Sequence, residues 1–455
     1  MRLLHTGSYR LFDYFNDEVP AYAILSHTWG RGPAEREVTF EDIRDSSDPT
    51  TIPNFDKIRD ACSLAQSENH EYIWIDTCCI DKSSSSELSE AINSMYLWYK
   101  QAVVCYAYLR DVAYRSKVST SASETKSPST STAWPFNESE FKKSKWFTRG
   151  WTLQELIAPR QVVFYSGDWK PLGTKGELRL LVSSITGIEE AVLAGGTLEH
   201  MSVARKMSWA ADRETTRQED LAYCLMGIFS VNMPLLYGEG KKAFIRLQEQ
   251  IIARTDDQSI FAWKLPKKEA EERSLYGLLA NSPKAFAKTG KEISLLSATH
   301  RKKQTIKVVN SSLEARVLLR NVPIYYYSRY GSGFKSGALN FYNPYYSAIL
   351  DCQMGTSGDS WCCIDMVQLY PEEERNAMTL ARINPASLSS ISLRDNFITK
   401  HAFYALYGGE SPPSESWHKL FLGFALRFDA DQLSVRGSPA SRWYEHDGER
   451  GIYAA

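Results

Sequence analysis

Short apolar runs alternate with amphipathic stretches through the first 170 residues. Four runs read as strands: Ala21 to Ser26, Tyr72 to Ile75, Ala102 to Leu109 and Gln161 to Tyr165. Between them, Phe55, Ile58, Ala61, Cys62 and Ala65 repeat at helical spacing, as do Leu88, Ala91, Ile92, Met95 and Tyr99. A third helix is predicted from a cap at Ser144 to about Ala158, where Pro159 ends it. Strands separated by helices predict an α/β fold with a parallel sheet and right-handed crossovers. Residues 171–257 carry mainly helical spacing, at Met201 to Ala211, Arg217 to Phe229 and Lys241 to Arg254. From residue 258 onward the pattern changes to strand-like runs punctuated by Gly, Pro, Asn and Ser: Ile306 to Val309, Ala315 to Leu319, Ala348 to Cys352, Trp361 to Leu369 and Leu420 to Phe428. This predicts a β-rich C-terminal domain, sandwich or barrel, of unknown role. The pattern divides the chain into an α/β core at 1–170, a helical extension at 171–257 and the β-rich domain at 258–455. The Ser/Thr-rich stretch at 117–133 buries too little apolar surface to offset its ordering entropy and is expected to be a disordered loop.

Composition narrows the classes. The 455 residues are 43% hydrophobic and 24% charged, with a net charge of −1, so no overall field favours nucleic acid. No apolar run reaches the roughly 18–20 residues that span a bilayer, and Met1 to His5 lacks the apolar core of a signal peptide. A cytoplasmic protein is expected. The eight cysteines include no C-x-x-C pair and sit mostly in apolar runs, so buried free thiols are expected rather than a metal site.

In a parallel sheet, ligands bind beyond the carboxyl ends of the strands. That rule selects Ser26, His27 and Trp29 after the first strand and Asp76 after the second. Arg110 and Asp111 follow the third strand, and Ser166 and Asp168 follow the fourth. The stretch Arg149-Gly-Trp-Thr-Leu-Gln-Glu155 lies between strands three and four, with Trp151 and Glu155 one helical turn apart. A carboxylate here suits stabilisation of an oxocarbenium-like ribosyl cation, with a tryptophan to stack on a base. The same residues have a structural reading, since Thr152 to Glu155 matches a capping box. His27 and Asp76 also serve as ordinary strand-end residues, and Arg149 suits either a phosphate or a bridge to Asp111 or Glu155. Gly238-Glu-Gly240-Lys-Lys-Ala243 mimics a dinucleotide fingerprint, but Pro234 argues against the strand that should precede it. Arg213, Arg217 and Asp220 read as an internal charge network.

Leu25-Ser-His-Thr-Trp-Gly30, Trp74-Ile-Asp76-Thr-Cys-Cys-Ile80 and Arg149 to Glu155 together resemble the three signature blocks of the fungal heterokaryon-incompatibility (HET) domain. Trp209 to Arg213, Glu219 to Cys224 and Leu236 to Gly240 resemble the continuation seen in vegetative-incompatibility proteins. The resemblance implies a role in fungal non-self recognition and regulated cell death. HET domains are in turn similar to TIR domains, which implies a flavodoxin-like sheet with helices on both faces. Many TIR domains hydrolyse NAD through a glutamate in a W-C-x-x-E-L block, matched here by Trp151-Thr-Leu-Gln-Glu155-Leu156 with Thr152 in place of cysteine. The resemblance thus implies a glycohydrolase with NAD as substrate, no cofactor and no metal. Glu155 is then catalytic, and Ser26, His27, Trp29, Asp76, Arg149 and Trp151 bind substrate. It also implies self-association through the domain and a regulatory partner protein. The rival expectation is a non-enzymatic oligomerisation and signalling adaptor, in which Glu155 only braces its helix.

Overall fold

The computed structural model describes residues 1–15, 18–30, 32–115, 134–270 and 277–295, and from residue 307 onward strand segments with residues 355 and 386–388. The Ser/Thr-rich stretch at 117–133 lies outside the described residues. The chain forms two compact units, one of residues 1–198 with 212–243 and one of residues 199–211 with 244–455.

The first unit is built on a seven-stranded sheet of β1 (Arg2–His5), β2 (Leu11–Asp13), β3 (Tyr22–His27), β4 (Tyr72–Trp74), β5 (Val104–Tyr108), β6 (Val162–Tyr165) and β7 (Pro171–Thr174). Its order is β2-β1-β4-β3-β5-β6-β7. The four predicted strands, β3 to β6, are mutually parallel. Antiparallel strands flank them: the hairpin β1-β2 beside β4, and β7 beside β6. All six residues of β3 are buried, as befits a central strand covered on both sides. The order of the parallel strands reverses between β3 and β5, because the chain goes from β3 to β4 and then crosses back. That reversal makes the carboxyl ends of β3 and β5 the topological switch point of the sheet.

The α-helices among the described residues are α1 (Phe40–Asp45), α2 (Asp56–Ser67), α3 (Ser85–Gln101), α4 (Glu138–Lys142), α5 (Thr152–Ile157), α6 (Arg179–Thr186), α7 (Glu190–Leu193), α8 (Val203–Ser208), α9 (Asp220–Tyr223), α10 (Lys242–Ile252) and α11 (Lys267–Ala270), of which α8, most of α10 and α11 belong to the second unit. In the first unit, α2 buries Ile58, Ala61, Cys62 and Ala65, and α3 buries Ala91, Ile92, Met95 and Tyr99. Ser84 caps α3 by accepting from the Glu87 amide. Gly227 permits a close approach to α3, since a Cβ there would collide with Tyr96.

The helix expected from Ser144 to Ala158 is instead two pieces. Ser144 caps a 3-10 turn at Lys145–Thr148, the chain extends at Arg149, and α5 begins at Thr152. The break has a cause in pairing. The Gly150 amide donates to Glu214 O at 2.9 Å, and the Glu214 amide donates to Thr148 O at 2.7 Å. A side chain at Gly150 would collide with Thr215. The stretch at 171–257 is also less helical than its spacing predicts. It opens with β7, and the helix expected from Arg217 to Phe229 is reduced to α9.

The second unit is β-rich, as its punctuation predicts. It holds a nine-stranded sheet of β8 (Ile293–Leu295), β9 (Lys307–Val309), β10 (Ser312–Ala315), β11 (Leu318–Val322), β12 (Tyr345–Met354), β13 (Ser360–Gln368), β14 (Ala377–Arg382), β15 (Ser389–Ser392) and β16 (Phe421–Ala425). The path runs open from β11 to β9, with β15 and β8 attached to β13 and β12, so the sheet is not a closed barrel. A hairpin of β17 (Glu445–Asp447) and β18 (Gly451–Tyr453) completes the described strands. All eight cysteines are buried, as their apolar surroundings predict. Among the described residues no helix is long and apolar enough to cross a membrane, and no group of three or more His, Cys, Asp or Glu side chains is placed to hold a metal ion.

Candidate functional site

Glu155 sits on α5, a helix whose six residues are all buried. The capping box is not realised. Trp151 occupies the N-cap position and makes no side-chain cap bond. Thr152 instead donates to Trp146 O at 2.6 Å and Arg149 O at 2.9 Å. Its hydroxyl accepts from Arg213 Nη1 at 2.9 Å, and Arg213 also donates to Arg149 O at 2.8 Å. The start of α5 is thus held by a buried arginine from a distant part of the chain. At its other end, Lys175 Nζ donates to Leu156 O at 3.2 Å and Pro159 O at 2.6 Å, satisfying carbonyls that a helix end leaves open.

With both ends fixed, the Glu155 side chain reaches the end of β3. Ser26 Oγ donates to Glu155 Oε2 at 2.5 Å, and Trp146 Nε1 donates to Ser26 Oγ at 2.8 Å. Ser26 and Trp146 are essentially unexposed, and Glu155 is 7% exposed. Burial pushes the Glu155 carboxyl up to about 8; the bond from Ser26 and the charges of Arg213 and Arg149 pull it down, while that of Asp76 adds to the rise. Tyr99 of α3 also faces this carboxyl. Glu155 forms no ion pair within 4 Å among the described residues, so at neutral pH it is a neutral carboxylic acid.

A second network lies at the ends of β3 and β4. His27 Nε2 is 3.0 Å from Asp76 Oδ1, and Trp29 Nε1 donates to Asp76 Oδ2 at 2.8 Å. Lys82 Nζ stands 3.7 Å from the centre of the Trp29 ring, a cation–π contact. Burial alone would raise the Asp76 carboxyl; the bonds from His27 and Trp29 and the charges of His27 and Lys82 hold it down to about 2. Asp76 is therefore ionised where Glu155 is not. Among the described residues, His27 Nδ1 and Gln154 Nε2 are buried without a hydrogen-bond partner. Each such atom costs about 1–3 kcal/mol, so the switch point is a place where the fold gives up stability.

The seven residues selected from sequence fall into three groups. Ser26 joins Glu155. His27 and Trp29 join Asp76, and adjacent strand residues pointing to opposite faces explain why Ser26 and His27 serve separate networks. Arg149 and Trp151 turn toward the segment around α9, where Arg149 Nη2 lies 3.4 Å from Thr216 Oγ1 and Trp151 bonds Asp220. Arg149 bridges neither Asp111 nor Glu155. Asp111 binds Ser144 Oγ at 2.6 Å and the Lys145 amide at 2.8 Å. Arg217 lies over Tyr237 and Asp220 accepts from Tyr237, so these two members of the charge cluster share a partner, while Arg213 is bound at the start of α5. The Gly238 and Gly240 amides, suggestive of a phosphate loop, both donate to Glu219 Oε1, at 2.8 and 3.0 Å. Sequence reasoning misses Trp146, Tyr99 and the part Arg213 plays at α5. Trp146 gives no periodic signal, though it lies just before the Arg149 block.

The comparisons with known proteins coincide with this geometry. Residues 22–155 match the family model described as heterokaryon incompatibility protein (HET), from the start of β3 to Glu155 itself. Residues 22–155 are thus similar to HET domains. Residues 242–364 match a domain of unknown function, DUF8212. Over 240 residues the chain is 45% identical to vegetative incompatibility protein HET-E-1 of Podospora anserina, a stretch covering 52% of this chain and 17% of that protein. No solved structure matches. The HET match begins in β3 and ends at the acid bound to it, so both partners of the Ser26–Glu155 bond lie within the matched stretch.

Proposed function

We propose that this chain is an effector of fungal vegetative incompatibility, acting in non-self recognition and regulated cell death, and that its HET domain hydrolyses the nicotinamide–ribose bond of NAD. The observation that carries the reading is the seat of Glu155. It is a buried acid with no ion pair among the described residues, bonded to the end of β3 at the topological switch point, where open α/β sheets bind ligands. The HET resemblance to TIR domains supplies the reaction.

In that reaction the C–N bond to nicotinamide breaks, and its electron pair leaves with the ring. Water then bonds to the ribosyl carbon and loses its proton. The positive charge of the bound pyridinium draws Glu155 back to its carboxylate form. The carboxylate stabilises the ribosyl cation and takes the proton from water. Ser26 orients the carboxyl. His27, Asp76, Trp29, Arg149 and Trp151 bind the remainder of the substrate once the buried site opens, and clustering of HET domains drives that opening.

One observation favours a second reading. Glu155 is closed over in this form, which a structural brace requires and a catalyst does not. On that reading the HET domain signals by self-association, without turnover. The test expresses the full chain, clusters it through an appended oligomeriser, and follows NAD and nicotinamide. Nicotinamide release that is abolished in Glu155→Ala supports the glycohydrolase. Release that persists in Glu155→Ala removes Glu155 from the chemistry. No release from a clustered protein that still kills cells leaves the adaptor.

A further inference from the structure

We infer that Trp146 is the positioning residue for Glu155, because its indole N–H fixes the single proton of Ser26 on the carboxyl. An indole nitrogen only donates, and a serine hydroxyl has one hydrogen. Trp146 Nε1 lies 2.8 Å from Ser26 Oγ, so Ser26 must accept there. Its own hydrogen then goes to Glu155 Oε2, 2.5 Å away. The direction of this bond is set by Trp146 rather than by either partner.

Trp146 is held so that it cannot release Ser26. Its ring packs edge-on against Phe147 and Phe164, with centroids 5.1 and 5.6 Å apart. Its amide donates to Ser144 Oγ at 3.3 Å, and its carbonyl accepts from Thr152 Oγ1 at 2.6 Å. Ser144 is in turn bound to Asp111, beyond the end of β5. The 3-10 turn that interrupts the expected helix therefore places the indole between β6 and the last residues of β3.

A hydroxyl obliged to donate favours the ionised carboxylate over the neutral acid. Trp146→Phe removes that obligation, and Ser26 becomes free to accept the proton of Glu155. The acid form gains, and Glu155 titrates higher. The titratable groups facing Glu155 are Tyr99 of α3, Cys105 of β5, Asp76 beyond β4, Arg149 before α5, and Arg213 and Cys224. Burial raises Tyr99, Cys105 and Cys224 out of the neutral range, while Asp76 at about 2 and Arg213 at about 10 keep their charges across it. His27, bound to Asp76, is controlled for by repeating each measurement with Glu155→Gln.

The experiment measures unfolding of the full chain from pH 5 to 10 and locates the pH at which the Glu155-dependent loss of stability levels off. Trp146→Phe is expected to move that point up by about one unit, the scale of one hydrogen bond to a charged group. The shift is expected to vanish in the Ser26→Ala background. A change in stability that is the same at every pH, with the point unmoved, overturns the inference and leaves Trp146 a packing residue. Should Trp146→Phe not fold, Ser26→Ala alone carries the test, with the same upward shift expected and an unmoved point overturning it. The catalytic consequence rests on the glycohydrolase reading, but this titration does not. Absence of NAD loss defeats that reading, and an unmoved titration defeats this one.

Discussion

Glu155→Gln should make the protein more stable at neutral and mildly alkaline pH. The carboxyl is raised from its ordinary 4.5 to about 8 in the folded chain, so the folded state binds the proton more tightly than the unfolded one. Below pH 4.5 both states are protonated and Glu155 contributes no penalty. As pH rises through that value the unfolded state loses its proton first, and folded stability falls until the folded group also titrates near pH 8. At about 1.4 kcal/mol per unit the full loss is roughly 5 kcal/mol, an upper figure because water entry would relieve part of it. Glutamine keeps the shape and an acceptor for Ser26 but cannot ionise. Urea unfolding of wild type and Glu155→Gln, followed by near-ultraviolet circular dichroism from pH 4 to 9, measures the difference. The variant is expected to lose most of the decline, with the two curves separating by several kcal/mol above pH 8. Parallel curves across that range would refute a neutral, unpaired Glu155.

Three further outcomes rest on the same geometry. Asp76→Asn should cost about 2 kcal/mol at pH 7, because a carboxylate held near 2 gives stability above its ordinary 3.8 that is lost as pH falls toward 2; acid unfolding of the variant should lack that limb. Lys175 is lowered from 10.5 to about 8 by burial, so wild type should gain stability as pH rises between those values. Lys175→Met should abolish the gain, and a gain retained in thermal melts would count against a charged Lys175 at the end of α5. Gly227→Ala drives a methyl into the Tyr96 side chain and should cost at least about 1–3 kcal/mol, read as a lowered melting temperature.

The four parallel strands are legible in the sequence because each is a continuous apolar run, and α2 and α3 because their apolar residues repeat at one helical period. The short antiparallel strands β1, β2 and β7 are not, since three or four residues carry too little pattern to separate from a loop. The break at Arg149–Gly150 is hidden for another reason. It depends on pairing with Glu214, and no local window contains both partners. Candidate residues chosen by strand ends do identify Ser26, His27, Trp29 and Asp76 as members of real networks. Trp146 escapes because its role is a hydrogen bond between buried groups 120 residues apart, which leaves no periodic trace.

The return of residues 212–243 to the first unit has a consequence for how the protein is made. Translation delivers β3, Trp146 and Glu155 well before Arg213, the side chain that holds Thr152 and Arg149. About 60 residues separate Glu155 from Arg213, roughly 3–12 s at 5–20 residues per second. During that interval α5 lacks its arginine, and the extended chain at Arg149 has no Glu214 to pair with. A nascent chain of this protein thus carries its acid in a less constrained helix than the finished one does. The start of α5 is thus completed only when residues 212–243 join the first unit.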